Sequence, residues 1–111
     1  MKSSVRQDGR VTVLDLSGKI TIGDGDLKLR EAVNTLLEEG RKAIVLNLSS
    51  VSYMDSAGIG ELVACFKRAL EKGAKIKLVN PSGKVQDLLI LTRLQEIFEI
   101  FRDEREALSS F

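Results

Sequence analysis

The chain has 111 residues, enough for one domain over 1–111 and too few for two. Seventeen Lys and Arg balance sixteen Asp and Glu to a net charge of +1, so no long-range field draws it to nucleic acid or a membrane surface. It has no histidine, the commonest metal ligand and general base, and its one cysteine, Cys65, has no partner for an internal disulfide.

These absences point away from an enzyme and from any metal or cofactor. No apolar run approaches 18 residues, and the start MKSSVRQDGR lacks the apolar segment of a secretion signal. The expectation is a cytoplasmic protein.

In chain order, the run Ser4-Val5-Arg6 reads as a short first strand. Asp8-Gly9 then marks a hairpin turn within Gln7–Arg10. Val11, Val13, Leu14 and Leu16 alternate in part, as in a strand covered mainly on one face, and a polar loop KITIGDGD follows Gly18. Leu29, Ala32, Val33, Leu36 and Leu37 make one helical stripe, ended by Gly40. AIVLNL at 43–48 is short and wholly apolar but for Asn47, as in a central strand buried on both faces, and it ends near Ser49-Ser50.

A second helical stripe runs through Ile59, Leu62, Val63, Phe66, Ala69 and Leu70, with Gly73 as its stop. Lys75–Val79 is the next strand and Asn80–Gly83 the next loop. Val85, Leu88, Leu89 and Thr92 open a third helix. Residues 97–101 read as a last short strand and 103–108 as a closing helix. Strands alternating with helices predict an α/β fold: a mostly parallel sheet of four to five strands, an antiparallel edge strand and about four helices.

Few motifs carry chemistry. Gly23-Asp24-Gly25 and Gly58-Ile59-Gly60 do not complete a dinucleotide fingerprint, and Ser82-Gly83-Lys84 lacks the upstream glycine of a phosphate loop. A phosphorelay receiver domain shares the alternating pattern and would need an acidic pair after the first strand. Asp15 lies inside that strand with no acidic neighbour, although Asp55 does follow a central strand. Cys65 sits on an apolar helix stripe and reads as a small buried hydrophobe.

Asp55-Ser56 opens the second helix and leaves two readings. One of the pair caps the helix, satisfying an orphan backbone N–H. Alternatively Ser56 accepts a phosphate, which a helix N-terminus tolerates because its free N–H groups and dipole favour negative charge.

The stretch LNLSSVSYMDSAGIGEL resembles the signature of STAS domains, in particular of bacterial anti-sigma factor antagonists. The matching positions are Asp55, Ser56, Ala57, Gly58, Ile59 and Gly60, after a central strand at Val45–Leu48, and the likeness extends along nearly the whole chain. The resemblance implies binding to an anti-sigma factor that is also a serine kinase, phosphorylation at Ser56 and restoration by a PP2C-type phosphatase. It assigns partner binding to Asp55–Gly60, with small residues giving a kinase close access to Ser56. The family's acidic residue after the early strand is here Thr21, in Gly18-Lys19-Ile20-Thr21, with Asp24 and Asp26 a few residues on as substitutes. Two other roles known for such domains are a scaffold subunit of a stress-signalling complex and an accessory subunit of a lipid or anion transport system.

Overall fold

In the computed structural model, which describes all 111 residues, two-residue alternation decides what each strand buries. The strands are β1 (Lys2–Asp8), β2 (Val11–Ile20), β3 (Ala43–Met54), β4 (Lys75–Val79) and β5 (Ile100–Phe101). The helices are α1 (Gly25–Glu38), α2 (Ser56–Glu71), α3 (Gly83–Leu91) and α4 (Glu104–Ser109), and a 3-10 turn spans Leu94–Glu96. The five strands lie side by side in the order β1-β2-β3-β4-β5. β1 is the antiparallel edge and the other pairings are parallel, as the alternation of elements predicts.

One sheet face presents Leu14, Leu16, Ile44, Leu46, Leu48, Ile76 and Leu78. They form one core with Leu29, Val33 and Leu36 of α1, Leu62, Cys65 and Ala69 of α2, and Val85 and Leu89 of α3. The other face carries a smaller cluster, Val11, Val13, Val45 and Val79, closed by Ala107 of α4. Since α4 covers this face, Val11–Leu14 are all buried and the start of β2 is covered on both sides, more than the expected one-sided strand.

Three element boundaries differ from the sequence expectation. β1 runs seven residues, all exposed, so it carries no apolar signal and is held by its ladder with β2. β2 continues through Gly18 to Ile20, and β3 continues past Ser50 to Met54. These extensions pair with each other across register shifts at Asp15/Ser17 and Gly18/Lys19. β5 shrinks to Ile100–Phe101, because Ile97 and Phe98 turn back on the 3-10 segment through hydrogen bonds to the Leu94 carbonyl.

Candidate functional site

The extended ends of β2 and β3 create the site. Ile20 pairs with Met54, and each strand then hands over to a helix within a few residues. Gly25 of α1 and Gly58 of α2 both abut this strand end. A Cβ at Gly25 would stand 2.4 Å from the Lys19 carbonyl oxygen, and one at Gly58 would stand 2.1 Å from the Ile20 carbonyl oxygen. Both are closer than atoms tolerate, so only glycine fits. Gly58 is buried, and this close approach by itself requires glycine there. Gly60 is different: it is exposed, with nothing near a Cβ placed there.

The capping question resolves in favour of Asp55. Its Oδ1 accepts from the Gly58 N–H at 2.9 Å, three residues on, as a helix cap does. Its Oδ2 accepts from the Ile22 N–H, also at 2.9 Å. The backbone N–H groups of Ile22 and Gly58 hold its carboxyl below the usual aspartate value. Ser56 is therefore free of capping. It is the first residue of α2, exposed, and its hydroxyl takes part in no side-chain hydrogen bond. Ala57 and Ile59 are half-buried beside it.

The Ile22 contact brings the loop after β2 to the start of α2. Thr21 is half-buried and its carbonyl accepts from the Asp26 N–H at 3.1 Å. Asp24 is exposed, and its carboxylate meets Lys28 at 3.1 Å and the Met1 amino group at 3.3 Å. Asp24 precedes α1 without capping it through its side chain. Thus Thr21, Asp24 and the 55–60 run lie together at one end of the sheet, with Gly58 beneath the surface.

Sequence reasoning missed three contributors. Ile22 is 75% exposed and Tyr53 is 48% exposed, giving the surface apolar contact area close to Asp55. An isoleucine in an otherwise polar loop was the available signal. The third is Glu61, one turn into α2, whose side chain is 3% exposed. It accepts from Arg30 of α1 at 2.8 Å and from Arg68 at 2.7 Å, tying α1 to α2 behind the site. Burial works to raise the Glu61 pKa, but hydrogen bonds from Arg68 and Arg30 outweigh it and hold the group below the usual glutamate value. Arg68 also donates to Asn34 of α1 at 2.9 Å.

The site thus combines a helix cap held by aspartate, a serine hydroxyl free at the helix start and small residues around it. Residues 2–107 match the family model for the STAS domain, and the chain belongs to that family. It is 33% identical over 96 residues to the anti-sigma-B factor antagonist of Bacillus subtilis, an alignment covering 86% of each chain. Within the family it stands among the anti-sigma factor antagonists.

Solved structures agree on the fold. TM1081 of Thermotoga maritima superposes with a TM-score of 0.89 at 28% identity, covering 97% of this chain and 92% of that one. The Bacillus cell fate determinant SpoIIAA superposes in its unphosphorylated form with a TM-score of 0.71 at 20% identity, covering 98% and 96% of the two chains. Its phosphorylated form gives 0.74 at 21% identity, covering 98% of each. No helix of the present chain is long and apolar enough to cross a membrane.

Proposed function

We propose that this antagonist works as a partner switch whose phosphoacceptor is Ser56. In the unmodified state the surface formed by Thr21, Asp24 and Asp55–Gly60 binds an anti-sigma factor that is also a serine kinase, so that a sigma factor is released. The kinase transfers phosphate to Ser56 and the complex dissociates; a PP2C-type phosphatase restores the free hydroxyl. The chain itself is substrate and ligand, and performs no chemistry.

The observation that carries this reading is the division of labour between Asp55 and Ser56. Because Asp55 holds the helix cap, Ser56 can be modified without removing a bond the fold uses. The added group would carry about −1.5 to −2 charges at neutral pH. A unit charge about 4 Å from a like charge costs on the order of 4 kcal/mol at an effective dielectric of about 20. Half of that already weakens binding more than tenfold.

The test is intact-mass spectrometry of the chain incubated with ATP and each candidate anti-sigma kinase from its own genome. The expected result is one added phosphate, placed on Ser56 by fragmentation. Phosphate at another residue, or none with any kinase, would overturn the assignment and turn attention to the scaffold or transport-subunit roles.

A further inference from the structure

The largest cleft of the molecule, about 650 Å³, lies at the opposite end of the sheet from Ser56. It opens where β2 and β3 begin, at Val11 and Ala43, and is walled by α4 and Phe111. β2 runs nine residue steps from Val11 to Ile20, so roughly 30 Å separates it from the switch surface.

Its chemistry is two-sided. Val11, Ala43 and Leu108 make an apolar lining, to which the Phe111 ring adds an aromatic wall. Phe111 is held in place by Lys77, whose ammonium sits over the ring at 4.4 Å from its centroid and also donates to the Ser110 carbonyl at 2.9 Å. Around this lining stand three cations, Arg10, Lys42 and Arg105, against one acid, Asp8.

The state of these cations is informative. Arg6, Arg30, Arg41 and Arg68 have carboxylate partners, Arg93 and Arg102 outside the cleft have none, and Lys42 donates to the Lys72 carbonyl at 2.6 Å. The guanidinium groups of Arg10 and Arg105 take part in no ion pair or side-chain hydrogen bond, although both line this cleft. A concavity of about 300–1,000 Å³ that combines apolar side chains with a few polar groups is the usual form of a small-molecule site. Unpaired guanidinium groups supply the forked donors that a carboxylate accepts.

We propose that this cleft binds a small organic anion with an apolar body, its charged head between Arg10 and Arg105 and its body against Val11, Leu108 and Phe111. Such a ligand would occupy the molecule without touching the switch surface.

Octanoate is a suitable probe, with octanol as the uncharged control and acetate as the control without an apolar body. Titrations of the full chain are followed by amide chemical shifts. Octanoate is expected to move the amides of Val11, Ala43 and Leu108 saturably while those of Asp55–Gly58 stay fixed. Octanol and acetate should each bind at least about tenfold more weakly, the value of a charge-assisted hydrogen bond or of the lost apolar contact. The double variant Arg10→Gln/Arg105→Gln should weaken octanoate about tenfold and leave octanol unchanged. Octanol binding as tightly as octanoate would overturn the proposal, as would unsaturable shifts spread over the surface. The wild-type comparison decides the matter even if the double variant does not fold.

Discussion

The carboxylate of Asp55 accepts two backbone hydrogen bonds of equal length, from Gly58 inside α2 and from Ile22 thirty-three residues earlier in the chain. One side chain therefore starts a helix and fixes a loop. Asp55→Ala should lower the melting temperature by several degrees and loosen residues 21–24, which amide exchange would report. Asp55→Asn keeps an acceptor oxygen for only one of the two N–H groups and should fall between. Equal melting temperatures for Asp55→Ala and the parent chain would mean that the bridge contributes nothing.

The two glycines of the motif should separate cleanly. Gly58→Ala puts a methyl group into the Ile20 carbonyl and should destabilise as other overpacked sites do, by about 1–3 kcal/mol or more. Gly60→Ala faces open space inside a helix and should stabilise by about 0.5–1 kcal/mol. Chemical denaturation measures both. If Gly58→Ala were as stable as the parent, the close packing of α2 on β2 would be wrong.

Ser56 is exposed and uncapped, so its variants should fold alike and differ only in binding. Ser56→Ala should bind the anti-sigma factor constitutively, and Ser56→Asp should bind at least about tenfold more weakly. Calorimetric titration against the cognate partner gives both constants. Equal affinities would remove Ser56 from the interface.

Behind the surface, Arg68 joins the buried Glu61 to Asn34. Arg68→Ala leaves the Glu61 carboxylate with Arg30 alone among arginines and should cost about 2–3 kcal/mol. Restoring charge without the forked geometry, as in Arg68→Lys, should recover only part of that. Urea unfolding is the measurement.

The pH dependence has a definite sign. Asp15 is held below its ordinary value of 3.8 chiefly by Arg6, Asp55 by the Ile22 N–H, and Glu99 below 4.5 by Lys77. Glu61 is also lowered, against the effect of its burial. Depressed carboxylates contribute stability that is complete above their unfolded values and lost as pH falls through the folded ones. The melting temperature should therefore drop below about pH 4.5. On the alkaline side burial pushes the Cys65 thiol up to about 12 from 9.0, so stability should decline again as pH rises above 9. Between these limits, with no histidine to titrate, the curve should be flat.

Most of the architecture was legible because the apolar residues keep a strict period. The stripes at Leu29–Leu37 and Ile59–Leu70 and the run at 43–48 each signal one element, and the structure has them there. What escaped was polar or depended on partners distant in sequence. β1 showed itself only at Ser4–Arg6, because all seven of its residues are exposed, and β3 beyond Leu48 loses its unbroken apolar run to Ser49, Ser50 and Ser52. The motif at 55–60 was visible, but not the separate duties within it. Whether Asp55 or Ser56 capped the helix, and which backbone Gly58 met, depended on Ile20 and Ile22 lying across the sheet.

Because Gly25 and Gly58 seat two helices on the same strand end, neither helix start can move inward without colliding with the Lys19–Ile20 backbone. Close packing of this kind favours a lock over a hinge. A partner that fits this surface meets a shape already set, and gives up little ordering entropy in doing so. A signal written on such packing is best read by whatever touches it.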